Sequence, residues 1–363
     1  MYPILCSLYS NPTKIAGVGI YHGYEKPVNA NEFLLQFVNE AIDLTTNNIN
    51  INVNIKEFKI KGFICDAPTK SFICCIKGHT GFYSCTKCFQ KGTYLKLELV
   101  SLKLIVKKEQ VRIFKSQIQH YSGTSIIEKI PGIDMVFHVP LEYMHLICLG
   151  VIKKLLMMWI FGKPHMKLKS EKINKINRQL LSIVEYTPNE FARKPRSLDE
   201  IKRWKATEFR FFLLYVGPVV LKKNIENDKY INFLCLYIAV TIFSNDQYIQ
   251  EYADYVHALL KCFVQNFGKL YGKENISHNI HGLIHIYDDI QIFGNLNKYR
   301  AFSFKNILQN LKNLLRKHEK PLQQIVIRLK ELEQAVDSKG INKESFLYER
   351  EHFNGLVPNQ NYI

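Results

Sequence analysis

Two sulfurs three residues apart, Cys85 and Cys88, are the clearest chemical signal in the chain. A Cys-x-x-Cys pair can hold two corners of a tetrahedral metal site, and half a site needs its other half elsewhere. A redox dithiol uses the same spacing, but wants a thioredoxin-like strand before it and a helix starting at the first cysteine. Incidental thiols are the third reading. Far along the chain, His278, His281 and His285 fall at i, i+3 and i+7, so a helix sets all three on one face. A lone histidine is more often a core or surface residue. Three on one stripe, with a thiolate pair lacking its other half, point to ligands. His281 and His285, a turn apart, are the preferred pair, and His278 is the alternate.

The acids are weaker signals. Asp66 ends an apolar run, Lys59 to Cys65, and a carboxylate at a strand end is a place to hold Mg²⁺ or Mn²⁺. Most such aspartates only cap turns. Asp288 and Asp289 follow the histidines and read equally as a solvated helix end. Glu142 and His145, at i and i+3, read first as structural and second as neighbours of a site. Between 298 and 330 nine basic residues face one acid, Glu319. Lys298, Arg300, Lys312, Arg316 and Lys317 are the expected phosphate contacts, pointing to nucleic acid, and a solvated basic surface is the alternative. Lys305 is out of place, because it falls in the first turn after the expected cap Ser303. There the helix dipole favours an acid by about 0.3–1 kcal/mol.

The elements that must position these groups follow from apolar spacing. Residues 2–9 and 15–21 read as strands around a turn at Asn11-Pro12. Residues 29–44 read as a helix, with Phe33, Leu34, Phe37, Val38, Ala41 and Ile42 at 3.6-residue spacing and Asn29 or Asn31 as cap. Residues 51–65 are β-branched and read as a strand delivering Asp66 to a helix-compatible segment, 68–78. This order of strand, strand, helix, strand predicts an α/β core with active groups at strand ends. From 140 to 272 the periodicity is helical, an all-α block set inside that core, and 303–317 is a further amphipathic helix. The expected units are 1–95 (core), 96–139 (basic linker), 140–275 (helical insertion), 276–335 (zinc-ligand segment and returning helix) and 336–363 (tail).

Composition narrows the class. Of 363 residues 47% are hydrophobic and 12% aromatic, which excludes a disordered chain. Forty-nine basic against 32 acidic residues give +17, favouring a polyanionic partner over a membrane, since no strongly basic amphipathic anchor is evident. The nine cysteines are scattered, several in apolar runs, which suits reduced thiols in an intracellular compartment. Met1-Tyr-Pro-Ile has no leader pattern, and runs such as 155–161 are too short to span a bilayer.

Four stretches carry a family resemblance: GFICDAPTKSFICCIKGHTGFYSCTKC, LEYMHLICLGVIKKL, RKPRSLDEIKRWKATEFRFFLLYVGPVVLK and ISHNIHGLIHIYDDIQIFG. Together they resemble transposase-domain proteins of the CACTA (En/Spm-like) cut-and-paste group, related to the V(D)J recombinase catalytic subunit. The resemblance runs to about residue 335. It implies a ribonuclease-H-like fold, with a helical insertion before the last catalytic acid and a structural Zn²⁺ on Cys85, Cys88, His281 and His285. It also implies nuclear DNA transposition, in which three acids hold two Mg²⁺ or Mn²⁺ ions for attack on a phosphodiester. Asp66 matches the second acid. The first is expected upstream of Met1, so that the core lacks its first strand, and Lys305 stands where the third belongs. A cation there is expected to repel Mg²⁺ and to pair with Asp66, leaving a copy that binds DNA without cutting it. The alternative is a domesticated, non-catalytic, zinc-containing DNA- or chromatin-binding module.

Overall fold

The computed structural model describes residues 1–51, 54–78, 81, 85–88, 93–95, 98–100 and 121–338. The chain opens with an antiparallel hairpin, β1 (Tyr2–Leu8) and β2 (Asn11–Tyr21), in which Ile4 pairs with Gly19 and Ser7 with Ile15. Helix α1 (Ala30–Asn47) starts where the Asn29 side chain accepts the N–H groups of Asn31 and Glu32, and it buries Ala30, Leu34, Val38 and Ala41. Two short pairings follow, β3 (Ile49–Ile51) with β4 (Asn54–Lys56) and β5 (Thr93–Leu95) with β6 (Glu98–Val100), separated by helix α2 (Ala67–Ile73).

Among the described residues these are three separate two-stranded sheets, none hydrogen-bonded to another. The expected ribonuclease-H-like α/β core is therefore not the fold, and the molecule is mostly helical. The reason lies in the run before Asp66. Residues 57–66 are extended but join no strand, and the backbone of Phe63 donates instead to the carbonyl of His138, at 2.7 Å. Its apolar side chains are used on two sides. Ile60, Phe63 and Cys65 pack on one apolar cluster and Ile64 on another. A β-branched run buried between two cores needs no sheet partner to hide its side chains.

The larger cluster spans residues 141–301 and centres on α3, whose wide-turned start, Met144–Ile152, continues into the α-helical Lys153–Phe161. This stretch, Met144–Phe161, is long and apolar enough to cross a membrane, with mean hydropathy 1.8, but 61% of it is buried inside the protein. Around it pack α4 (Ser170–Ser182), α5 (Ala206–Phe211, continued by Phe212–Val216 and Gly217–Val220), and the hairpin of α6 (Asn227–Phe243) and α7 (Asp246–Tyr271). The Trp159 indole donates to the Tyr271 hydroxyl at 3.0 Å, which ties α3 to the end of α7. Then come α8 (His278–Gly282), a tighter turn at Leu283–His285, α9 (Ile286–Phe293), α10 (Phe302–Asn313) and α11 (Pro321–Ser338).

The smaller cluster joins α1 to Ile73, Cys74 and Ile76, and to Ile126, Ile127, Ile130, Met135 and Val139. Residues 121–139, expected to end a linker, thus supply half of this core. Residues 101–120, the middle of that expected linker, and 339–363, most of the expected tail, lie outside the described residues. The two clusters meet where the chain passes from Val139 to Leu141. Gly62 sits at this junction, where an added Cβ would fall 2.5 Å from the Phe293 ring and 2.8 Å from the His138 carbonyl oxygen. Gly62→Ala is expected to cost about 1–3 kcal/mol, read from urea unfolding, because neither the ring nor the backbone can withdraw cheaply.

Candidate metal centre

The turn carrying Cys85 and Cys88 lies against α8 and the turn that follows it. His281 lies in the last turn of α8 and His285 closes the tighter turn, so the two imidazoles meet edge to face with ring centroids 5.1 Å apart. Gly150 on α3 makes room for this segment, since a Cβ there would fall 2.5 Å from the Asn279 side chain. The ligand atoms of Cys85, Cys88, His281 and His285 all lie within 4.8 Å of one another, and the four residues are buried. His281 Nε2 is 3.3 Å from Cys88 Sγ and 3.3 Å from His285 Nε2. A tetrahedral ion with bonds of about 2.0–2.3 Å separates its nitrogen ligands by about 3.3 Å, so the donors stand at the spacing of such a site. They could coordinate a metal ion.

Electrostatics agree. Burial alone would push the Cys85 thiol up, but the bond from Cys88 and the charges of His285 and His281 carry it well below its usual value, toward the thiolate a metal needs. Among the described residues no group partners His281 Nδ1, so that ring is held from its Nε2 side and by packing.

No family model, curated protein or solved structure matches this chain.

The sequence reasoning named all four of these residues, and His278, the alternate, stands apart from them on the wall of a neighbouring cleft. It missed the pair that holds the cysteine turn in place. Lys87, between the two cysteines, is buried, with Nζ 2.5 Å from Asp289 Oδ1 and 2.6 Å from the Val136 carbonyl. Asp289 Oδ2 accepts the N–H of Leu141 at 2.8 Å. Far from being a solvated helix end, Asp289 is fully buried. The missed signal was its spacing, four residues after His285, which puts an acid on the ligand face of the helix.

Asp66 caps α2 by accepting the Thr69 N–H at 2.8 Å, and it lines the same cleft as His278. Lys305 does not enter that cleft. It is exposed on α10, whose cap is Ala301 rather than Ser303, and no ion pair joins it to Asp66. Among the described residues only the Cys2His2 group gathers three or more metal-ligating side chains, so Asp66 brings no second cluster. Of the expected phosphate contacts, Lys312, Arg316 and Lys317 are exposed. Lys298 pairs with Asp246 at 3.1 Å, and half-buried Arg300 donates to Asn297 at 3.0 Å. Burial, then the charge of Arg210, lower the Arg300 guanidinium from its ordinary value.

Proposed function

We propose that the chain is a zinc-clipped DNA-binding protein that does not cut its partner, derived from the cut-and-paste transposases it resembles. The observation that carries this reading is the assembly of Cys85, Cys88, His281 and His285, the four positions at which that resemblance expects zinc ligands. Two thiolates and two imidazoles in a closed tetrahedron are the donor set of a structural Zn²⁺ site, with no open position for chemistry. The ion's role is to join two points far apart in sequence. When bound, it would fix the junction between the two cores.

Support for DNA comes from the net charge of +17 and from the exposed Lys312, Arg316 and Lys317 at and just beyond the end of α10. Support for the absence of cleavage comes from Asp66, which spends one carboxylate oxygen on a helix cap and gathers no second cluster of metal-ligating side chains among the described residues. A short random duplex is expected to bind with an affinity that falls steeply between about 50 and 200 mM salt. Replacing Lys312, Arg316 and Lys317 together by Gln is expected to flatten the log–log salt slope by about 3, at about 0.9 per phosphate contact. Fluorescence anisotropy reads both. Absence of binding at low salt would remove the DNA reading, and Mg²⁺- or Mn²⁺-dependent strand cutting would remove the non-cleaving one.

A further inference from the structure

Next to the metal centre opens a solvent-facing cleft walled in part by Asp66, Lys70, Lys77, Glu142 and His145. Its two carboxylates are poorly placed to hold a hard cation. Glu142 Oε1 accepts the N–H groups of Met144 and Ala301, each at 2.7 Å. Its Oε2 accepts the His145 N–H at 2.9 Å and meets His145 Nδ1 at 2.7 Å. Each oxygen is thus already shared by two groups. Asp66 gives one oxygen to the Thr69 N–H, at 2.8 Å. A Mg²⁺-like ion asks for about six oxygen ligands, and one uncommitted carboxylate oxygen does not approach that.

Donors, by contrast, are in surplus. With Nδ1 held by Glu142, the ring of His145 keeps Nε2 for the cleft, and no protein group among the described residues takes it. Lys70 is 4% exposed, yet among the described residues its ammonium donates only to the Val139 carbonyl, at 2.6 Å, leaving donors uncommitted there. Burial, followed by the charge of Lys87, pushes Lys70 down to about 8, as expected of a cation short of counter-charge. Lys77 adds a second, exposed ammonium.

We propose that this cleft binds a phosphate group, with Lys70, Lys77 and His145 Nε2 as its donors. The site is argued from these groups alone and stands whether or not the chain binds duplex DNA. A free phosphate and a terminal phosphate on a nucleic acid present the same chemistry, so both serve as probes.

The test is a titration of the full-length, zinc-loaded protein at constant ionic strength, first with inorganic phosphate and then with a 5′-phosphorylated oligonucleotide, following the His145 imidazole signals by NMR. A saturable shift with either probe supports the site, and a shift with the oligonucleotide alone identifies the group as a terminal nucleic-acid phosphate. His145→Asn places an amide N–H where Nδ1 stood, so the Glu142 contact survives while Nε2 is lost, and the phosphate-dependent rise in melting temperature is expected to disappear. Lys77→Gln, on the exposed rim, is expected to weaken binding by about threefold. No shift with either probe, the same thermal response in His145→Asn, or broadening of His145 by Mn²⁺ without any response to phosphate would overturn the proposal.

Discussion

Cys88→Ala is expected to lose the bound zinc and to lower the melting temperature by on the order of 10 °C or more. Without an ion, Cys85 and the two imidazoles remain buried beside one another, and the direct tie between the histidines is the 3.3 Å contact of their Nε2 atoms. The clip also closes a long loop, since Cys88 and His281 are 193 residues apart, and tying such a loop restricts the unfolded chain. Zinc contributes about 10–16 kcal/mol in small finger peptides at neutral pH. If only about 4 kcal/mol of that stabilises this larger core, about 2–4 °C per kcal/mol gives the stated loss. A chelator added to the wild-type protein is expected to reproduce the effect. An unchanged melting temperature in both experiments would mean that the four residues are a packed cluster and not a clip.

The pH dependence has a definite sign. Cys85 is held well below the ordinary thiol value, so its contribution is fully present above that ordinary value and is lost as pH falls through the lowered one. Zinc is therefore expected to leave on acidification, not on raising the pH. A colour-forming chelator that reports free zinc follows this directly.

The metal centre was legible because ligand chemistry is written in residue type and spacing, and both survive any rearrangement of the backbone between them. The helices of the larger core were legible for a similar reason. The run 246–271, for instance, buries Val256, Leu260, Phe263, Val264, Phe267 and Tyr271 at helical spacing. The sheet was not legible. Residues 59–65 have a strand's composition, but strand pairing depends on what lies beside them, and here Phe63 meets a single backbone carbonyl between two cores. Glu142 was read as structural beside His145, as it proves, but its reach to Ala301 was not legible. Its four close contacts come from Met144, His145 and Ala301, and the last is 159 residues away. A carboxylate that joins the starts of α3 and α10 looks in sequence like any acid at a helix end.

Lys87→Met is expected to destabilise the protein by about 3–5 kcal/mol, although it removes no metal ligand. The substitution leaves Asp289, fully buried, with a negative charge and without its ion-pair partner. It also frees the Val136 carbonyl, which accepts from Lys87 at 2.6 Å. Asp289→Asn alone is expected to be nearly as harmful, because it leaves the ammonium unbalanced. The double variant Lys87→Met/Asp289→Asn is expected to recover half or more of the loss. Its amide oxygen still serves the Leu141 N–H, which Asp289 accepts at 2.8 Å in the native protein, and neither charge of the pair is left without the other. Urea unfolding of the four proteins gives the coupling energy. Simple addition of the two single losses would show that the pair does not act as a unit. A second readout separates support of the centre from bulk stability. Lys87 binds the cysteine turn to the helix that follows His285, so its loss is expected to weaken zinc binding by about tenfold, in the range for groups that orient ligands. Equal zinc affinity in Lys87→Met and wild type would confine the lysine to holding the two cores together. A tenfold drop would show that the turn owes its placement to the same buried charge pair that fixes Val136 and Leu141 at the junction.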